Sequence, residues 1–153
     1  IYDPMIIEFD YKIGGGTGAD GLVLMFYKKS NYNPRAGGCL GFTYDTGSDP
    51  GGDVPGYGVE FDNYQNGWDS SANHIAIIKD NVNNHLLQYD TSATEDNAWH
   101  HVKVEIYPQN GTIRVWLNGT LILDYRDSTG QLNTTYGGLG FSAATGGLNN
   151  IIS

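Results

Sequence analysis

Residues 56–78 read GYGVEFDNYQNGWDSSANHIAII, from Gly56 to Ile78. Glu60, Asp62, Tyr64 and Asn66 recur at every second position, the spacing at which an extended backbone sends side chains to one face. Asp69 and His74 follow in a short polar segment, and Ile75 to Ile78 then reads as an apolar strand. Three carboxylates, a carboxamide and an imidazole thus fall within the fifteen positions from Glu60 to His74. Carboxylates crowded in this way repel unless a cation sits among them, and a divalent metal meets that need. Asp and Asn oxygens with a backbone carbonyl suit Ca2+. Glu, Asp and an imidazole nitrogen together suit a smaller transition ion such as Mn2+ or Zn2+.

The sequence around this stretch favours strands. The chain has 153 residues, of which 22 are Gly and 11 are Tyr, and it carries no Ala- or Leu-rich helical run. That composition predicts many strands and tight turns in an all-β chain. The length predicts a single domain, residues 1–153, with enough chain to bury a substantial core. Ile6 to Ile13 (IIEFDYKI) places Ile7, Phe9, Tyr11 and Ile13 on one face and Glu8, Asp10 and Lys12 on the other, a half-buried antiparallel strand. Leu22 to Tyr27 (LVLMFY) is apolar throughout and predicts a strand covered on both faces. Trp99 to Tyr125 reads as a three-stranded meander broken by Pro108-Gln109-Asn110-Gly111 and Asn118-Gly119, because Asn-Gly is a strong hairpin signal.

Composition also excludes functions. The net charge of −9, with only eight Lys and Arg, argues against nucleic acid, whose phosphates demand a basic footprint. No apolar run is long enough to cross a membrane as a helix, and no signal peptide is visible. The single Cys39 rules out an internal disulfide and reads as a small buried residue. Gly14-Gly15-Gly16-Thr17-Gly18 lacks the strand-then-helix context of a phosphate cradle, which excludes nucleotide binding there. The chain opens on Ile1 rather than Met, so a preceding segment is expected. Three sequons, at Asn110, Asn118 and Asn133, fit an extracellular or cell-surface protein, with their glycosylation left open.

The pattern E-x-D-x-Y-x-N-x-x-D-x-x-x-x-H from Glu60 to His74 resembles the metal-binding signature of the legume-type (L-type) lectins, in the concanavalin A-like lectin/glucanase superfamily. The resemblance implies an antiparallel β-sandwich of the concanavalin-like jelly-roll type. It implies that Glu60, Asp62, Asp69 and His74 hold a transition metal such as Mn2+. It likewise implies that Asp62, the Tyr64 carbonyl, Asn66 and Asp69 hold Ca2+, with Asp62 and Asp69 shared. The spacing from Asn66 to Asp69 is two residues shorter than in some plant members, so the loop carrying Trp68 is expected to have its own shape.

Further segments resemble the same family in the same order. Ala19-Asp20-Gly21 is similar to its A-D-G segment, where the Ala-Asp peptide bond is cis and the Asp accepts hydrogen bonds from sugar hydroxyls. Gly37-Gly38 is similar to a loop whose glycine N–H donates to the sugar, with Gly38 the first choice and Gly37 the alternative. Gly137 to Asn149 (GGLGFSAATGGLN) resembles a core strand and specificity loop, which implies sugar contacts at Gly147 and Leu148 and inward-facing Leu139 and Phe141. The family also places Tyr64 and Asn66 against the sugar. These lectins carry an additional strand at each end, so an edge completed by a second copy or a neighbouring domain is expected.

The expected function is therefore a Ca2+- and transition-metal-dependent glycan-binding domain with no catalytic residues. Coordination needs ionised Glu60, Asp62 and Asp69 with neutral His74, so metal is expected to leave below about pH 6. Two alternatives stand beside it. One is a structural or adhesive surface module, or a filament subunit, that keeps calcium for stability. The other is a jelly-roll glycoside hydrolase, which needs a second acid on the strand of Glu60 and Asp62; Tyr64 and Gln65 stand where that Glu would be. Elsewhere, Asp45, Asp49 and Asp53 read as a solvated loop, Asn81 to Asn84 as a turn, and His85 to Tyr89 as a strand. His85, His100 and His101 have no acidic neighbour at ligand spacing and read as structural residues.

Overall fold

The alternation after Ile6 produces strand β1 (Met5–Tyr11), whose buried and exposed residues take turns along its length. The predicted single strand to Ile13 is interrupted at Lys12, and Ile13–Gly14 forms the separate short strand β2. The remaining strands are β3 (Gly21–Tyr27), β4 (Gly56–Asp62), β5 (His74–Lys79), β6 (Asn81–Asp90), β7 (His100–Tyr107), β8 (Thr112–Leu117), β9 (Thr120–Arg126), β10 (Gly138–Ala144) and β11 (Ile151–Ile152). This computed structural model describes residues 2–28, 35–42 and 55–153. The predicted loop with Asp45, Asp49 and Asp53 lies outside the described residues.

The strands pair antiparallel into a four-stranded sheet, order β1-β7-β8-β9, and a five-stranded sheet, order β10-β3-β4-β5-β6, with β2 and β11 forming a ribbon. Among the described residues there is no α-helix. The two large sheets pack face to face as a β-sandwich. Leu22, Leu24, Phe26, Val59, Phe61, Ile75 and Ile77 from one sheet meet Val102, Val104, Ile106, Ile113 and Val115 from the other. The predicted meander is β7-β8-β9, and Asn118 and Gly119 both adopt positive φ (49° and 82°) at its second turn, as a two-residue hairpin requires.

The central strands β3, β4 and β5 of the five-stranded sheet are buried on both faces, which explains the unbroken apolar run in β3. Its outer face carries Val23, Met25, Ala76, Ile78 and Val82 beneath Leu40 and Phe42, with Tyr27 and Trp68 packed alongside. A 3-10 turn at Gly37–Cys39 leads into Leu40, and Cys39 is buried as predicted.

Three expectations are corrected. The segment predicted as a turn at Asn81 to Asn84 is the first part of β6, which pairs with β5 through a bulge near Ile77 and Ile78. Leu139 and Phe141 lie on the inner face with their partners Phe26 and Leu24 but are not buried: they are 50 % and 56 % exposed, because β10 is an edge strand beyond the cover of the opposite sheet. Phe141 instead packs edge-on against Phe9 of β1, ring centroids 4.9 Å apart, which draws the two open sheet edges together. Finally, β4 ends at Asp62. Tyr64 and Asn66 therefore leave the shared strand face and belong to the loop that follows.

Candidate metal centre and the loops around it

Along β4 the side chains of Val59 and Phe61 enter the core between the sheets, so Glu60 and Asp62 project to the outer face. Asp62 is paired with His74 at the start of β5, and Glu60 lies between Val23 and Ala76. Glu60, Asp62 and His74 are no more than 2 % exposed, and Asp69 is also buried. His74 Nε2 stands 3.1 Å from Glu60 Oε1 and 4.0 Å from Asp69 Oδ1. Its Nδ1 faces the Ser71 carbonyl at 3.2 Å.

His85 is the residue that sequence spacing missed. Its Nε2 lies 2.8 Å from Glu60 Oε1 and 3.7 Å from Asp69 Oδ1. The potential ligand atoms form two overlapping triads, Glu60–His74–His85 and Asp62–Asp69–His74, each spanning no more than 4.8 Å. His100 and His101 meet carboxylates as well, at Asp96 (2.9 Å) and Asp10 (2.8 Å). Each of those histidines faces one carboxylate residue, away from the acidic cluster of β4.

Electrostatics in this cluster are unfavourable without a cation. Burial pushes the Asp62 carboxyl up to about 9, and the charges of Glu60, Asp69 and Asp20 add to the effect against one bond from the Tyr64 N–H. Burial likewise raises Asp69 and Asp20. For His85 burial acts downward, but the adjacent Glu60 carboxylate outweighs it and holds the imidazole at about 8.

The loop from Asn63 to Asn73 curls back through its own carboxylates. Asp62 Oδ1 accepts from the Tyr64 N–H at 2.7 Å, and Asp69 Oδ2 accepts from the Asn66 N–H at 2.7 Å. These bonds fix one oxygen of each Asp. Asp69 Oδ1, Asn66 Oδ1, Asp20 Oδ2 and His85 Nε2 are buried with no hydrogen-bond partner among the described residues. Orphaned buried acceptors are costly. Here three oxygens and a nitrogen, all competent ligands, collect around one acidic cluster. That donor set fits divalent cations.

Asp20 is delivered from the other side. The Ala19-Asp20 peptide bond is cis. The Asp20 N–H donates to the Ala144 carbonyl at 3.1 Å, and its own carbonyl accepts from Asn63 N at 3.0 Å. Gly38 lies so close to Asn66 that a Cβ there would stand 2.5–2.7 Å from the carboxamide atoms. A Cβ at Gly37 would meet open space, so the close approach belongs to Gly38. The Gly37 N–H donates to the Thr145 carbonyl at 3.3 Å. Gly146 then sits beside Asp20 Oδ2, where a Cβ would lie 3.1 Å away.

The structure therefore brings together Asp20, Gly38, Asn66 and Gly146 on one side of the acidic cluster. Tyr64 and Leu148 are 41 % and 40 % exposed. Gly147 has open space around it. Gly146 was missed because the Gly-Gly pair at 146–147 reads alike from either residue.

The sandwich has the fold of the legume lectins. Basic winged bean lectin, solved with Tn-antigen, superposes with a TM-score of 0.76 at 24 % identity, covering 94 % of this chain and 61 % of the lectin. Peanut lectin, solved with a nine-residue peptide, gives 0.74 at 24 % identity over 97 % and 67 %. The seed lectin of Lotus tetragonolobus gives 0.75 at 18 % identity over 98 % and 73 %. At these identities the likeness establishes the fold, and the chain spans about three fifths to three quarters of each lectin's length. By sequence, residues 2–148 match the 3-keto-alpha-glucoside-1,2-lyase-like domain family, and the chain belongs to that family. No curated protein sequence matches it.

Proposed function

We propose that this domain binds glycans on a surface organised by two divalent cations, and that it does so without catalysis. The observation that carries this reading is the set of unpartnered buried atoms, Asp20 Oδ2, Asn66 Oδ1 and Asp69 Oδ1, around the acidic cluster. In this reading Glu60, Asp62, Asp69 and His74 hold a transition metal such as Mn2+. Asp62, the Tyr64 carbonyl, Asn66 and Asp69 hold Ca2+. The cations neutralise the carboxylates and so hold the loop from Asn63 to Asn73 in place. Asp20, Asn66 and the backbone N–H of Gly38 then offer hydrogen bonds to adjacent hydroxyls, while the ring of Tyr64 covers an apolar sugar face. Gly147 and Leu148 supply the rim.

A shallow polar site of this kind binds single sugars weakly, and strength comes from multivalency. The open edges at β1 and β10, with Leu139 and Phe141 exposed, support a second copy or a neighbouring domain as the source of it. All three sequon asparagines, Asn110, Asn118 and Asn133, are exposed, in keeping with an extracellular or cell-surface location.

The test is calorimetric titration of the EDTA-stripped domain with Ca2+ and Mn2+, followed by a glycan array with and without metal. Two metal sites and metal-dependent glycan binding are expected. Metal binding with no glycan signal would move the reading to a structural module.

A second reading rests on the family match. The family description names a 3-keto-alpha-glucoside-1,2-lyase-like domain; a 1,2-elimination on such a substrate takes the C2 proton beside the ketone and expels the C1 substituent. Such a reaction needs a base, and the buried Glu60–His74–His85 group contains candidates. Incubation of the metal-loaded domain with a 3-keto-α-glucoside, read by mass spectrometry, distinguishes the two. Release of the C1 substituent that disappears in Glu60→Gln would replace the binding reading.

A further inference from the structure

We propose that His85 is an additional protein ligand of the transition metal, so that the site offers two imidazoles and favours zinc-like ions over Mn2+. This rests on the metal-binding half of the proposed function and is independent of the sugar half.

The argument starts from which nitrogen of each ring carries a proton. His74 Nδ1 faces the Ser71 carbonyl at 3.2 Å, and a carbonyl can only accept. His85 Nδ1 faces Gln88 Oε1 at 2.9 Å. The orientation of the Gln88 amide is set by its other end, which donates to Ser70 Oγ and Asp90 Oδ1, both at 2.7 Å. These acceptors hold hydrogen on Nδ1 of both rings when a cation takes the place of the proton that His74 Nε2 can share with Glu60, and the Nε2 lone pairs are then the ones available to metal. A hydrogen bond from the far nitrogen to a carbonyl or amide oxygen is how metal-bound histidines are usually oriented.

Both Nε2 atoms point at the same carboxylates. His74 Nε2 and His85 Nε2 stand 3.1 and 2.8 Å from Glu60 Oε1, and 4.0 and 3.7 Å from Asp69 Oδ1. The two rings are close, with centroids 5.1 Å apart. Despite its short distance to Glu60, His85 Nε2 lies outside hydrogen-bond alignment and has no partner. Without metal, a proton on His74 Nε2 can bridge to Glu60 Oε1 at 3.1 Å, whereas His85 Nε2 has no such bond; a cation coordinated by both nitrogens and the carboxylates takes the place of that proton and satisfies His85 as well. His85 is placed for this by the bulge between β5 and β6, which lets it share a face with Gln88 three residues on. A second imidazole raises the nitrogen content of the site, and imidazole nitrogen favours the later first-row ions, whereas oxygen-rich sites suit Mn2+.

The test uses the EDTA-stripped domain and two readouts that need no sugar. Pulsed EPR of the Cu2+-loaded wild type counts coordinated imidazoles, and two are expected. In His85→Ala the count should fall to one. Competition titrations should show Zn2+ affinity falling at least tenfold in His85→Ala, with Mn2+ affinity falling several-fold less. One imidazole in the wild type, or unchanged Zn2+ affinity in a folded variant, overturns the proposal while leaving the metal site standing. The wild-type count decides the matter even where the variant does not fold. Failure of the wild type to bind any of these ions would instead overturn the metal-dependent reading itself.

Discussion

Asp62 and His74 are direct partners across β4 and β5, at the last residue of one strand and the first of the next. The eleven residues between them, 63–73, therefore leave and re-enter the sheet at neighbouring points. A closed loop of that kind delivers both ends of the motif to one place and returns Asp69, from its middle, to the same place through the bond between Asn66 N and Asp69 Oδ2. Glu60 joins from one pleat further down the strand. The motif is a local sequence feature because one hairpin assembles most of it.

Asp20→Ala should abolish glycan binding, by at least tenfold in affinity, which is about 1.4 kcal/mol. Asp20 Oδ2 has no partner to lose within the described residues, so the melting temperature should stay close to that of the wild type. A glycan array and a thermal melt on the same sample check both halves. Unchanged glycan binding would remove Asp20 from the site.

Gly38→Ala should weaken glycan binding and destabilise the fold by about 1–3 kcal/mol, the usual cost of forcing extra volume into a filled space. The added Cβ meets the Asn66 carboxamide. Gly37→Ala offers a contrast: it has room for the Cβ, so its cost comes from its positive φ of 65°. Denaturant melts and binding isotherms of both variants check this, and the loss of glycan affinity should follow Gly38 alone.

The metal-free domain should lose stability as pH rises from 5 to 8. Asp62 is held at about 9 in the folded protein, well above its ordinary value of 3.8. The native state therefore keeps a proton there that the unfolded chain has already released, and folding becomes less favourable across the interval. His85, raised to about 8, acts in the same direction between its ordinary 6.5 and that value. Divalent metal removes the penalty, so added Ca2+ and Mn2+ should raise the melting temperature most at pH 8. A melting temperature of the EDTA-treated protein that climbs from pH 5 to pH 8 would contradict this.

Phe61→Ala should destabilise the domain by about 3–5 kcal/mol. The ring is fully buried and packs against Phe9 and Tyr11, with centroids 5.9 and 4.8 Å away. It also separates Glu60 from Asp62 along β4. Metal affinity should fall with stability, measured by urea denaturation and calorimetry.

The strand pattern was legible wherever one face of a strand alternated, as in β1, β7 and β8, and wherever Asn118-Gly119 fixed a turn. It misled at β10, where Leu139 and Phe141 are apolar yet exposed. Hydrophobicity reports a preference for burial, whereas actual burial depends on which strand ends the sheet. The bulge in β6 was equally hidden. Counting by twos places His85 and Gln88 on opposite faces, and only the pairing of β5 with β6 reverses that.

By itself, the sequence determined the all-β class and the grouping of Glu60, Asp62, Asp69 and His74 as potential ligands, because alternation and hairpin-local spacing are written in consecutive residues. Only the tertiary structure decided that Gly38 approaches Asn66 and Gly146 approaches Asp20 from separate loops, and that His85 reaches Glu60 across β5. Those meetings depend on strand order and register, which are set by the packing of the whole sandwich and carry no signature in the spacing of the residues that meet.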